Sequence, residues 1–353
     1  MLRPLVVGRP CRFALQKRWI LSNTQNKPLV VLGIETSCDD TSAAIVRSDR
    51  TILSEVVRGQ QSLHEPMGGV VPTLASKGHS ENMPGVICEA LDKAQLTVDQ
   101  LDAIAVTRGP GLPPCLPVGL NAAKTLAAVH KKPLIGVHHM EGHALTARLA
   151  SEQVQFPFMA LLISGGHTLL LVAHQLGHYQ ILATTLDDAM GEAIDKTARA
   201  LALPWVKGRR GGPGAALEQA ALQGDPARFA SRLPMPMLQR NKSVLAFSFS
   251  GLKTAVARLI EKDRILDHPQ LVSDMAAAFQ TVCVQHLEQK LTMALENETQ
   301  QTPNLSALVV SGGVASNLFF RSRLKAGLVD DYTITTLPKW SIESLKESST
   351  SKN

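Results

Sequence analysis

His139 and His143 stand four residues apart in the segment His138-His139-Met140-Glu141-Gly142-His143. On a helix this spacing places both imidazoles on one face, within reach of one metal ion, while His138 points elsewhere. Two imidazoles are half a ligand set, and on an arbitrary helix the same pair also serves as a surface pair or an N-terminal cap. Position favours the metal: an apolar run at 134–137 leads directly into the pair, at the strand end where α/β proteins form their clefts. A zinc-peptidase arrangement needs its general-base Glu directly after the first His, about 100° round the helix. Glu141 comes two residues after His139, on the opposite side, and suits at most an outer position. The peptidase reading fails on that geometry.

Glycine turns form the second constellation. Ser164-Gly165-Gly166-His167-Thr168 lies between apolar runs at 158–163 and 169–173, and Ser311-Gly312-Gly313-Val314-Ala315-Ser316-Asn317 follows another at 307–310. Tight turns alone explain single glycines. Their pairing offers small side chains and backbone N–H groups that a phosphate or sugar can approach closely, with the Asn317 amide able to bond a purine or ribose edge. Asp195 is one of several acids on a helical pattern at 188–201, where Asp187, Asp188 and Glu192 read as solvated helix acids.

The elements that must position these groups alternate. The polar stretch 35–42 separates apolar runs at 29–34 and 43–46, a strand–turn–strand grammar repeated at 158–173. Between the repeats come a helix at 72–94 containing Pro84, a strand at 101–106, a glycine-proline turn at 108–112, a helix at 118–130 and a strand at 134–137. Helical patterns follow at 215–221, 252–260 and 271–294. Strands alternating with helices in two similar halves predict an α/β protein with a nucleotide cleft between duplicated lobes, the boundary falling near 150–156.

The 353 residues accommodate two such lobes, and no apolar run approaches the roughly 18 residues of a membrane span. The formal charge of +6 is local: Arg3, Arg9, Arg12, Lys17, Arg18 and Lys27 precede the first acid, Glu35, and the remainder is neutral. Global charge therefore gives no argument for nucleic acid, and 4% aromatic content offers no base-stacking platform. The acid-free, arginine-bearing head over 1–28 reads as a mitochondrial transit peptide. Five scattered cysteines without a CxxC pair read as reduced thiols, with Cys38 a small buried residue.

GIETSCDDTSAAIV (33–46), GGVVPTLASKGH (68–79), RGPGL…VGLNAAKTLA (108–127), VHHMEGH (137–143), LLISGGHT (161–168), LDDAMGEAIDKTA (186–198), FSFSGLKTA (247–255) and SGGVASN (311–317) occur in this order. Together they resemble the tRNA N6-adenosine threonylcarbamoyltransferase family, formerly labelled glycopeptidase, and with the basic head its mitochondrial member. The resemblance covers about residues 29–326. It implies an actin-like, sugar-kinase/Hsp70-like ATPase fold of two tandem lobes (29–150 and 151–326). It implies transfer of threonylcarbamoyl from L-threonylcarbamoyl-adenylate, made by a separate synthase, to N6 of the adenosine 3′ of the anticodon in mitochondrial tRNAs reading codons that begin with A. It further implies one divalent ion (Zn, Fe or Mg) on His139 and His143, the adenylate held by Leu162, Ile163, Ser164, Gly165 and Gly166, and the nucleoside by Asp195, Gly214, Glu218, Ser311 and Asn317. A homodimer in the mitochondrial matrix, without membrane insertion, completes the expectation. Lys207, Arg209 and Arg210 are candidates for tRNA phosphate.

The chain departs from the family pattern twice. In Gly211-Gly212-Pro213-Gly214-Ala215-Ala216-Leu217-Glu218 the nucleoside-contacting glycine is Gly212 or Gly214 depending on register, and Glu218 selects Gly214. Beyond residue 326 a Cys-Thr-Asp-Asn segment, whose Asp is the family's third protein ligand, has no counterpart. Glu343 and Glu347 fall near the right distance in the wrong context. The expectation is an atypical tail over 327–353, weakened metal retention and apolar surface left bare on the second lobe.

Overall fold

The computed structural model describes residues 27–206, 211–237, 244–302, 304–327 and 334–336. The basic head, the Lys207/Arg209/Arg210 cluster, and Glu343 and Glu347 lie outside the described residues.

Strands β1 (Val30–Glu35), β2 (Thr41–Arg47) and β3 (Ile52–Arg58) form an antiparallel meander. Helix α1 (Pro72–Ala94) leads to β4 (Ala103–Gly109), and α2 (Leu116–Val129) to β5 (Leu134–His138), both strands running parallel to β1. The sheet order is β3-β2-β1-β4-β5. Helix α3 (His139–Ala150) follows β5 without a linker.

The second half repeats the scheme. β6 (Phe158–Ile163), β7 (Thr168–Gln175) and β8 (His178–Thr184) are antiparallel neighbours. Helices α4 (Met190–Ala200), α5 (Pro213–Ala221), α6 (Ser250–Asp263) and α7 (Pro269–Gln301) intervene before β9 (Leu308–Ser311), α8 (Leu318–Gly327) and β10 (Ile334–Thr336). β9 pairs parallel to β6, and β10 to β9, giving β10-β9-β6-β7-β8. The duplicated strand–turn–strand units expected from the sequence are thus the β1–β2 and β6–β7 pairs. The outer strands β3 and β8 were not foreseen, although Ile52-Leu53-Ser54-Glu55-Val56-Val57 carries strand-forming residues.

Burial explains why the two sheets read differently in sequence. Met159, Leu161 and Ile163 face a core built with α4, α6 and α7, while Phe158, Ala160 and Leu162 face Met140, Ala144 and Ala147 of α3. Covered on both sides, β6 is a continuous apolar run. Each large apolar side chain fully buried there contributes about 1.5–3 kcal/mol relative to exposure. In β1 only Val30, Leu32 and Ile34 are buried, and Val31, Gly33 and Glu35 are partly exposed. The centre of the second sheet is covered on both faces because α3, which leaves the first sheet, crosses over to pack on it, whereas the edge strand β8 is largely exposed.

The halves also meet through polar contacts. Gln61 Nε2 donates to the Val206 carbonyl at 2.6 Å, and the Arg199 guanidinium donates to the Gly68 carbonyl.

Candidate metal and nucleotide centre

His139 opens α3 and His143 lies one turn later, their Nε2 atoms 3.1 Å apart. That separation is in the range of two imidazole nitrogens sharing one ion at about 2.0–2.1 Å each. His139 Nδ1 is 3.2 Å from Glu35 Oε2 and 3.1 Å from Ser37 Oγ. A neutral imidazole that donates its Nδ1–H to a carboxylate keeps its lone pair at Nε2, the tautomer a metal ligand requires, and Glu35 is placed to select it. The donor set therefore fits a divalent cation. Among the described residues no group of three or more His, Cys, Asp and Glu completes such a site.

Glu35 ends β1, beside β4 in the sheet. Thr107 Oγ1 of β4 donates to Oε2 at 2.5 Å, and the Ser37 backbone N–H donates to Oε1. Burial pushes the Glu35 carboxyl upward, but hydrogen bonding and charge from His139, with Ser37 and Thr107, outweigh it and hold the pKa at about 2. His143 is pushed down to about 4, by burial first and then by the neighbouring His139 charge, against the opposing pull of Glu35. His167, in the glycine turn of the second half, is lowered by burial and then by the charges of His139 and His138, which puts that turn within electrostatic reach of the pair. His138 is exposed.

Glu141 takes no outer position beside the histidines. Its Oε1 accepts a 2.8 Å hydrogen bond from Tyr179 Oη on β8. Glu35 fills the outer position instead. It was passed over in the sequence as part of a polar turn; the signal that could have found it is an ionisable residue closing a buried strand at the same sheet end as the pair. The turn after it is held by His79, paired with Thr41 Oγ1 at 2.7 Å and the Cys38 carbonyl at 2.9 Å. Cys38 itself is exposed, correcting the buried role expected for it.

Leu162 and Ile163 are buried with side chains in opposite cores, and their backbone lies in the paired part of the sheet, Leu162 opposite Leu169 and Ser311 and Ile163 opposite Thr168. Ser164 closes its own turn, its Oγ accepting from His167 N at 3.1 Å. A Cβ added at Gly165 or Gly166 would meet no atom within 4 Å, as at Gly313: these glycines line open space. Gly191, at the start of α4, is packing-critical, since a Cβ there would lie 2.5 Å from the Ser164 carbonyl oxygen. Gly312, with φ of +106°, would drive one into the Ile163 carbonyl. Ser311 is buried beside Leu162 in register.

Asp195 and Gly214 are neighbours: a Cβ on Gly214 would sit 3.8 Å from Asp195 Oδ1. Gly212, at φ +104°, is the N-cap of α5, a conformation that glycine adopts most readily. Gly214 and Glu218 share one face of α5. Glu218 Oε1 accepts from Leu318 N at 2.7 Å, and Asn317 Oδ1 from Phe320 N at 3.0 Å, so both side chains cap α8. Burial raises the Glu218 pKa against the lowering effect of the Leu318 and Phe319 amides. Asp187 and Asp188, expected as solvated helix acids, lie before α4. Asp187 accepts from Phe249 N and Ser250 N at 2.8 and 3.2 Å, capping α6, and Asp188 pairs with Lys253 at 2.5 Å. Glu192 pairs with Lys196 at 2.6 Å.

A family model for tRNA N6-adenosine threonylcarbamoyltransferase matches residues 51–339. The probable mitochondrial enzyme of that name from Arabidopsis thaliana is 48% identical over 306 residues, which is 84% of this chain and 62% of that protein. The chain thus spans less than two thirds of that relative's length. The Bartonella bacilliformis tRNA N6-adenosine threonylcarbamoyltransferase is 47% identical over 84% of this chain and 81% of its own. Among solved structures, component A of the Acidaminococcus fermentans (R)-2-hydroxyglutaryl-CoA dehydratase superposes with a TM-score of 0.51 at 16% identity, covering 88% of this chain and 92% of that one, a likeness of fold alone. The fold is the actin-like, sugar-kinase type, two mixed sheets with helices, and the chain belongs to the tRNA N6-adenosine threonylcarbamoyltransferase family.

Proposed function

We propose that this chain transfers the threonylcarbamoyl group of L-threonylcarbamoyl-adenylate to N6 of the adenosine 3′ of the anticodon in mitochondrial tRNAs. The observation that carries the proposal is the family match over residues 51–339 together with the His139/His143 pair, whose Nε2 atoms lie 3.1 Å apart. The donor is a mixed anhydride, already activated, so the site needs orientation and charge stabilisation rather than a covalent nucleophile. Gly165 and Gly166 leave room for the adenylate to lie against backbone N–H groups, and the paired strand that ends in Leu162 and Ile163 holds their turn. Asp195 and Gly214, side by side, support a nucleoside site in the register that pairs Gly214 with Glu218. Asn317 spends its carbonyl on α8 and keeps its amide N–H₂ for the base or ribose. His139 and His143 hold the ion, with Glu35 fixing the His139 ring. The family uses a metal ion, here zinc, iron or magnesium, and when bound it supplies Lewis-acid stabilisation of charge on the carbonyl and departing phosphate.

The donor comes from a separate synthase, and the chain acts as a homodimer in the mitochondrial matrix, the compartment supported by the basic head and the mitochondrial relative. No helix among the described residues is long and apolar enough to cross a membrane. Expression of this chain in cells lacking the native enzyme tests the activity: threonylcarbamoyladenosine should reappear in mitochondrial tRNA. A second reading, a donor-binding form without turnover, is favoured by the lack of a third metal-ligating side chain among the described residues. It predicts adenylate binding with no modified tRNA.

A further inference from the structure

Helix α3 belongs to the first half by chain and to the second by packing. Its sheet-facing stripe is Met140, Ala144 and Ala147, set against Phe158, Ala160, Leu162, Leu171 and Val309. At about 100° per residue, His139 and His143 fall on one flank of this stripe and Glu141 on the other. Each flank carries a polar tether. On the histidine side, Glu35 of the first half meets His139 Nδ1 at 3.2 Å. On the far side, Tyr179 of β8 meets Glu141 Oε1 at 2.8 Å and packs against the same apolar cluster. Two of the three stripe residues are alanines, whose single methyl groups give the sheet little to key against, so contacts on the flanks share in fixing the rotation of the helix; beyond the two tethers, Arg148 Nε donates to the Val154 carbonyl at 3.3 Å. The imidazole nitrogens lie roughly 6 Å from that axis. A roll of about 10° would therefore carry them about 1 Å, enough to spoil a coordination or near-attack geometry.

We propose that Glu141 and Tyr179 form a stop across the two halves that sets the roll of α3 and so the placement of His139 and His143. Glu141 is thus a positioning residue, acting through the helix rather than on substrate. The inference rests on the metal reading of the pair given above.

Four full-chain variants test it: Glu141→Ala, Tyr179→Phe, the two combined, and Glu141→Gln, which keeps an acceptor for the phenol. Zinc affinity is measured by competition with a chromophoric chelator, and the His139 Nδ1–H proton by NMR of the metal-free protein. Thermal midpoints show that each variant folds. The alanine and phenylalanine variants should bind zinc about tenfold more weakly, the scale of an outer-shell loss, and move the Nδ1–H resonance. The double variant should lose no more than either single one, and Glu141→Gln should stay near wild type. Either readout unchanged in both single variants overturns the proposal, as does a multiplicative loss in the double variant. His139→Ala isolates the metal reading: if zinc binding survives it, that reading falls, and the Nδ1–H resonance alone decides whether Glu141 and Tyr179 set the helix.

Discussion

Glu35 Oε2 and His139 Nδ1, 104 residues apart in the chain, lie 3.2 Å from each other where β1 and β5, on either side of β4, end at the same edge of the sheet. The carboxylate selects which nitrogen of His139 faces its partner His143. Glu35→Gln, nearly isosteric, should lower zinc affinity about 10- to 100-fold and also lower the unfolding midpoint at neutral pH, because the depressed carboxyl pKa marks stability that the amide forfeits. Chelator competition and a thermal melt on the same samples check this, and wild-type affinity would remove Glu35 from the site.

The glycines divide into two groups with opposite expected outcomes. Gly165→Ala and Gly166→Ala point a methyl into open space, so the fold should hold while binding of a non-hydrolysable threonylcarbamoyl-adenylate analogue weakens. Gly191→Ala and Gly312→Ala push a methyl into backbone carbonyls and should cost about 1–3 kcal/mol of stability. Urea unfolding beside calorimetric binding separates the groups.

Asn317 allows capping and recognition to be told apart. Asn317→Asp keeps an oxygen for Phe320 N and should preserve stability while losing the amide donor and with it adenylate affinity. Asn317→Ala should lose both, with about 0.5–2 kcal/mol for the cap. Equal binding by Asp and Asn variants would show that the amide contacts no ligand.

Asp187 gives a pH dependence with a definite sign. Burial raises its pKa, but hydrogen bonds from Ser248, Phe249 and Ser250 lower it further, leaving the folded value below the ordinary one. A depressed folded pKa contributes stability above the unfolded value of about 3.9, which is lost as pH falls through the folded value. Asp187→Asn should therefore flatten the fall in urea midpoint below about pH 4. An unchanged acid limb would place the titration elsewhere.

The sequence made the duplicated halves, the histidine pair and the glycine turns legible because each is local: a period, a spacing, a dipeptide. Glu35, Thr107 and Tyr179 were not legible as site neighbours, since sheet order and helix crossover bring them together and neither leaves a mark on spacing. Glu141 illustrates the limit well. Helical geometry turns it away from the histidine pair, yet its partner Tyr179 lies on β8, a strand the apolar pattern does not reveal. Glu218 and Asn317, expected at a nucleoside, cap α8, because an orphan helix N-terminus lies beside them.

The crossover of α3 bears on how the two halves can drift apart. In β6 every position is enclosed, so no residue there tolerates a polar replacement; in β1 alternate positions are partly open and admit one. The two copies of one topology are therefore under different mutational constraint, strand for strand. Substitution would blur the strand pattern of the first half before that of the second, while the order of strands, which no single substitution can rewrite, stays common to both.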